Sequence, residues 1–221
     1  MADFPASLVK EVRERSGAGM MDCKNALVEA AGNVEKALEI IQKKGLAKAI
    51  KKAGRVANEG AVLSYIHAGG RVGVLLEVNS ETDFVARSPD FKLFCEETAL
   101  QIAGAGVPPQ YVRKEEIPES VIAKQKDIFM GQLKEEGKPE ASWPKIMEGK
   151  VAKWSGEICL LSQESFIHQG KTIEQLRTDL VAKIGENVNV RRFVRWELGE
   201  GIEKAKEDYA SEVAKMAAEG A

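Results

Sequence analysis

The chain has 221 residues, 44% of them hydrophobic and 30% charged, with a formal net charge of -2. That length allows one large domain or a few small ones with ample core, and the balanced charge encodes no global attraction to nucleic acid or to an anionic membrane. No apolar run approaches the roughly 20 residues of a membrane-spanning helix, and Met1-Ala2-Asp3-Phe4-Pro5 carries neither a secretion signal nor an Arg-rich transit segment, so the expected compartment is the cytoplasm.

Residues 1–54 read as a small helical module. Leu8, Val9 and Val12 form one apolar face before Gly17-Ala18-Gly19 breaks the helix. Cys23, Ala26, Leu27 and Ala30 recur at helical spacing up to Gly32-Asn33. Asn33 can cap a third helix with Val34, Ala37, Leu38 and Ile41 inward, which Gly45 is expected to end. Lys48, Lys51, Lys52 and Arg55 then fall on an alanine-rich segment that reads as a helical linker with a solvated basic face.

From Gly60 the pattern changes to strands. Val62–His67 and Val72–Val78 flank Ala68-Gly69-Gly70, a hairpin signal. After the loop Asn79–Arg87, Ser88-Pro89 reads as an N-cap with proline in the first turn of an amphipathic helix bearing Phe91, Phe94, Cys95, Thr98, Ala99 and Ile102 on one side. Gly104-Ala105-Gly106-Val107-Pro108-Pro109 ends that helix and opens a surface stretch to about Pro118. Two helical segments come next, separated near Gly137-Lys138-Pro139. Ile158-Cys159-Leu160-Leu161 reads as a strand, and Ile173, Leu176, Leu180 and Ile184 as the face of another helix. Val188, Val190, Arg192, Val194 and Trp196 alternate with Asn189, Arg191, Phe193 and Arg195, which predicts a partly exposed strand. The sum, over residues 55–200, is an α+β core of antiparallel strands packed on helices. Residues 201–221 read as a helical tail with Ile202, Ala205, Tyr209, Val213 and Met216 along one stripe, free to fold back or to dock on a partner.

Chemistry of its own finds little support. There is no phosphate-loop spacing of glycine, lysine and hydroxyl, so no direct nucleotide binding is expected. His67 and His168 stand at unrelated places, and Cys23, Cys95 and Cys159 are far apart, against a metal site, a disulfide or a hydrolase triad. Cys23 and Cys95 lie on apolar helix faces, where a free thiol behaves as a small hydrophobe. Aromatic residues are 6% and not interleaved with basic ones, against a nucleic-acid platform. The expected class is an adaptor that acts on another protein, without a cofactor.

The most telling segment is Asn79-Ser80-Glu81-Thr82-Asp83-Phe84-Val85-Ala86-Arg87, which sets a carboxylate beside a large apolar ring between a strand and a helix. A loop pinned in this way is built to contact something. On the loop alone the plain reading is the default: Phe84 covers the sheet and Asp83 caps the turn. The N-terminal run from Ser7 to Leu27, containing Arg13, Gly17-Ala18-Gly19-Met20-Met21-Asp22-Cys23-Lys24-Asn25, and the late Lys183-Ile184-Gly185-Glu186-Asn187-Val188 bear on the choice. Together with Thr82-Asp83-Phe84-Val85-Ala86 they make the chain resemble elongation factor Ts, the guanine-nucleotide exchange factors of elongation factor Tu. The motifs occur in the family's order, and the resemblance spans essentially the whole chain.

The resemblance implies that the module at 1–54 is of ubiquitin-associated type and that the partner is the GTPase elongation factor Tu. It implies that Thr82, Asp83, Phe84 and Val85 disturb the partner's magnesium and phosphate-loop site to promote GDP release. By the same resemblance Arg13, Met20 and Met21 contact the GTPase domain, and Met216 is a further contact on the tail. Short members of the family with one core copy can pair, which leaves a homodimer open, with an exposed strand edge as one route. The alternative function is a ribosome- or RNA-associated protein with a peptide-binding helical module, supported by Lys48, Lys51, Lys52, Arg191, Arg192 and Arg195.

Overall fold

A computed structural model of the protein describes residues 4–137 and 139–202. Among the described residues the chain forms α1 (Ala6–Ser16), α2 (Met20–Glu29), α3 (Val34–Lys52), β1 (Glu59–His67), β2 (Val72–Ser80), α4 (Asp83–Ala86) and α5 (Pro89–Gly104). It continues with α6 (Glu119–Glu135), α7 (Trp143–Ile158), α8 (Ile173–Ile184) and β3 (Val188–Glu197), so the class is α+β, as the sequence predicts.

The first three helices close around Val12, Cys23, Ala26, Leu27, Ala30 and Ala37, a core of mostly small side chains. Asn33 caps α3 by accepting the Lys36 N–H at 3.0 Å. Gly45 does not end this helix, contrary to the expectation: α3 runs on to Lys52. A glycine inside a helix costs about 1 kcal/mol relative to alanine, but packing can override that. Here Gly45 is buried against α8, and a Cβ at this position would lie 3.2 Å from the Cβ of Ala182. The missing side chain is what lets the two helices approach.

The sheet has the order β1-β2-β3 with both pairs antiparallel, and the β1–β2 turn sits at Ala68–Gly70. Its inner face, with Val72, Val74, Leu76 and Val78 on the central strand, packs on Phe91, Phe94 and Ile102 of α5 and on Leu180 and Val181 of α8. Helix α5 starts where the sequence says, with Ser88 accepting the Phe91 N–H at 3.3 Å, and α8 opens on a capping box between Thr172 and Gln175. Helices α6 and α7 form a hairpin in which Lys150 reaches Gln132 at 3.2 Å and Glu136 at 3.4 Å.

One further expectation fails and one holds in outline: the partly exposed strand that closes the core is β3, but its alternation is broken. Ile158–Leu161 is not a strand: α7 extends to Ile158, Cys159 makes an isolated parallel bridge with Tyr111, and Leu160–Ser162 is a 3-10 turn. All of Ile158, Cys159, Leu160 and Leu161 are buried, and a continuous apolar run signals burial without distinguishing helix from strand. In β3, Val78 pairs with Val190 but Glu77 pairs with Arg192, so Arg191 is an extra residue, a β-bulge. Alternation reverses there. Val188 and Val190 are buried, yet Val194 and Trp196 point away from the core, with Trp196 70% exposed. Together with Val62, Ile66 and Leu75 they make the outer face of the sheet apolar.

Candidate functional site

Helix α4 is a single turn of four residues between β2 and α5. Such a helix has no stability of its own, so its orientation depends on what holds it. Thr82 is the N-cap, its Oγ1 accepting the Val85 N–H at 3.5 Å. Ser80 Oγ donates to the Thr82 carbonyl at 2.9 Å, and Ser88 Oγ donates to the Val85 carbonyl at 2.7 Å. Val85 and Ala86 pack against the core cluster, which turns Phe84 outward. Phe84 is 79% exposed, a phenyl ring held in solvent on a braced turn. The plain reading of the loop is therefore wrong on both counts: Phe84 does not cover the sheet, and the capping side chain is that of Thr82, not Asp83. Asp83 pairs with Arg87 at 2.7 Å across one exposed turn. A pair of this kind contributes about 0–1 kcal/mol, so another partner can displace it cheaply.

Behind α4 lies a set of contacts made by the motif Lys183–Val188, to which sequence reasoning assigns no role. Gly185 ends α8 in the left-handed region (φ 81°), and Glu186 then accepts both the Thr82 N–H at 3.0 Å and the Thr82 hydroxyl at 2.8 Å. In return Glu81 accepts the Asn187 N–H at 2.6 Å. The Asn187 amide donates to the Ala53 carbonyl at 3.4 Å and to the Arg55 carbonyl at 2.9 Å, Arg55 pairs with Glu81 at 3.4 Å, and Lys52 donates to the Gly185 carbonyl. The only signal of this in the sequence is an acid-amide pair directly after a helix-ending glycine.

A second surface lies on the first two helices. Phe4, Val9, Lys10, Arg13, Met20, Met21 and Lys24 line a groove of about 530 Å³. The break at Gly17–Gly19 places both methionines in the first turn of α2, with Met20 58% and Met21 66% exposed. Adaptable thioether side chains beside cationic ones suit an amphipathic protein surface. The structure thus brings Arg13, Met20 and Met21 together, while Thr82, Asp83, Phe84 and Val85 line no part of that groove. Of the latter four, Val85 anchors the turn and is half-buried. Met216 lies outside the described residues.

The remaining chemistry is structural. Cys23, Cys95 and Cys159 are free and buried. Burial pushes the Cys95 thiol up to about 12 and that of Cys159 up to about 11, so both stay protonated and unreactive near neutrality. Among the described residues no group of three or more His, Cys, Asp or Glu could hold a metal ion, and no helix is long and apolar enough to cross a membrane. Hydrogen bonds from Arg191 and then Arg192, each at 2.7 Å, hold the Glu77 carboxyl below the usual carboxylate range.

The family model described as "Elongation factor TS" matches residues 2–176. Among curated relatives, elongation factor Ts of Desulforamulus reducens is 54% identical over 214 residues, covering 97% of this chain and 98% of its own. That of Alkaliphilus metalliredigens is 55% identical over 213 residues (96% and 98%), and that of Anaeromyxobacter sp. strain K 54% identical over 217 (98% of each). Identity at this level over nearly the full length of both chains leaves one assignment: the chain belongs to the elongation factor Ts family of translation elongation factors.

Proposed function

We propose that the protein binds elongation factor Tu and promotes release of its GDP, with Phe84 as the side chain that opens the nucleotide site. The observation that carries this reading is the solvent-exposed ring of Phe84 on a turn braced from both ends. An exchange factor must bind the nucleotide-free partner better than the nucleotide-bound one, and linkage then weakens GDP by the same factor. Each tenfold gain in release rate requires lowering the barrier by about 1.4 kcal/mol. An exposed ion pair supplies about 0–1 kcal/mol, whereas burying an aromatic ring supplies roughly 1.5–3 kcal/mol. Phe84 is therefore the wedge, entering the partner beside its magnesium site, and Asp83 exchanges Arg87 for groups that order the magnesium and phosphate loop. The chain binds no nucleotide itself, uses no cofactor and catalyses no chemical step. It works in the cytoplasm, where its partner does.

In this reading residues 1–54 form a ubiquitin-associated-type module whose Arg13, Met20 and Met21 groove takes a second part of the GTPase, and residues 55–200 are the core that presents Phe84. Residues 201–221, with Met216, add a further contact. The test is release of fluorescent GDP from elongation factor Tu at fixed magnesium. Strong acceleration that is lost in Phe84→Ala is the expected result. Acceleration that survives the change moves the wedge elsewhere, and no acceleration sinks the exchange reading.

The RNA-binding alternative is weakened, because five of the six cations behind it, all but Lys51, are engaged within the chain among the described residues. Lys48 pairs with Asp22, Lys52 with the Gly185 carbonyl, Arg191 and Arg192 with Glu77, and Arg195 with Glu197. For self-association the outer sheet face is a better surface than a strand edge, since Val62, Ile66, Leu75, Val194 and Trp196 are exposed there together. Three strands of this length cover about 15 by 30 Å, or roughly 450 Å². A stable interface takes about 800 Å² per partner, so a face-to-face homodimer should be weak and concentration-dependent. Sedimentation velocity over a concentration series tests this, and a Trp196→Lys variant that self-associates like the parent would rule the face out.

A further inference from the structure

We infer that Glu186 is a positioning residue for nucleotide exchange: through Thr82 it sets the attitude of α4, and with Asn187 and Glu81 it ties that turn to the end of α3. The inference rests on the assignment of Phe84 as the wedge. A hydroxyl offers one donor and two acceptor lone pairs. The Thr82 hydroxyl spends its proton on Glu186 at 2.8 Å, which leaves a lone pair aimed at the Val85 N–H, the bond that caps α4. Glu186 also holds the Thr82 N–H at 3.0 Å, so both polar groups at the entry to the turn answer to one carboxylate. The reverse bond, from the Asn187 N–H to Glu81 at 2.6 Å, makes the clasp reciprocal. Two adjacent residues on each side exchange side-chain to main-chain bonds, a geometry that resists twisting as well as separation.

Nothing in the core requires Glu186. Its bonds to Thr82 lie in solvent, while Val85 and Ala86 are held by packing and the helix ends by Ser80 and Ser88. What it fixes is the direction in which Phe84 projects. The same clasp carries the Asn187 amide, which grips the Ala53 and Arg55 carbonyls where α3 leaves the N-terminal helices. The Met20–Met21 groove and Phe84 are thereby presented as one rigid tool rather than two independent contacts.

The experiment compares Glu186→Ala, Glu186→Gln, Phe84→Ala and the Glu186→Ala/Phe84→Ala double variant in GDP release from elongation factor Tu, alongside amide hydrogen exchange of each protein alone. Misplacing a reactive group by about 1 Å can cost about 100-fold in rate, so a loosened turn should slow maximal release about tenfold. The half-saturating concentration should change less than about twofold, because the groove still binds. Glu186→Gln, which keeps one acceptor oxygen, should recover part of the rate. The double variant should be no slower than Phe84→Ala alone, since Glu186 acts through that ring. Amide exchange should quicken at Thr82, Val85 and Ala86 and stay unchanged in β2 and α5. A Glu186→Ala protein with parent-like release, or effects that multiply in the double variant, overturns the positioning role. Unchanged protection of α4 in Glu186→Ala overturns the clasp whatever the release rates. If the parent itself does not accelerate GDP release from elongation factor Tu, the exchange reading fails, and amide exchange still decides whether Glu186 holds the turn.

Discussion

The carboxylate of Glu186 takes two hydrogen bonds from one residue, Thr82, which precedes it by 104 positions: the N–H at 3.0 Å and the hydroxyl at 2.8 Å. This arrangement makes Thr82 sensitive to the hydroxyl and indifferent to the methyl group. Thr82→Ser should unfold in urea within about 0.5 kcal/mol of the parent, whereas Thr82→Val should lose about 1 kcal/mol as a missing cap and a missing charge-assisted bond. A shift in midpoint at constant slope is the measurement.

Phe84 and Phe91, seven positions apart, should separate function from stability. Phe91 is fully buried and Phe84 is not. Phe91→Ala should cost about 3–5 kcal/mol, and Phe84→Ala should stay within about 0.5 kcal/mol of the parent while losing exchange activity. A large stability loss in Phe84→Ala would mean that the ring serves the fold after all.

At Gly45 two effects oppose each other. Alanine gains about 1 kcal/mol of helix propensity, but its Cβ would sit 3.2 Å from that of Ala182. Gly45→Ala should therefore be near neutral, and Gly45→Leu should cost about 1–3 kcal/mol by forcing α3 off α8. Thermal unfolding of the two variants checks the order. Gly45→Leu as stable as the parent would show that the helices can separate freely.

Glu77 should mark the acid limb of the stability curve. Its carboxyl titrates below the ordinary value because Arg191 and Arg192 hold the ionised form, so near an ordinary pKa of about 4.3 the unfolded chain binds the proton that the native one refuses. The stability from this contact is complete above the unfolded value and disappears as pH falls through the lower native one. Glu77→Gln should show a lower melting temperature at neutral pH and a shallower decline below about pH 4. Parallel curves for parent and variant would remove Glu77 from the acid response.

What can be read from the chain alone is local. Ser88-Pro89 announces α5 because a cap is satisfied within three residues of itself, and α8 shows in the spacing of Ile173, Leu176, Leu180 and Ile184 along one face. The β1–β2 hairpin is legible for the same reason, as a turn between two apolar runs. The interest of the Thr82–Val85 segment is visible too, but not which of its side chains faces water. That depends on Val85 and Ala86 finding the core. Gly45 reads as a stop until Ala182, far along the chain, makes it a contact. Glu186 looks like one more surface acid, since its partner belongs to a different part of the sequence.

The bulge in β3 has a consequence of another kind. Consecutive residues of an extended strand point to opposite faces, yet Arg191 and Arg192 both reach Glu77, because the strand carries one residue more than its neighbour. Which side chains Val194 and Trp196 stand beside is thus decided by how many residues precede them, not by what those residues are. Removing Arg191 would return the strand to regular pairing, with Phe193 still inward and Trp196 still outward, at the loss of one of the two cations on Glu77, a change of length that no single substitution could imitate. The bulge thus leaves the strand room to lose one residue between Val190 and Phe193 without exchanging its faces, whereas a further insertion there would have to be absorbed by a second bulge.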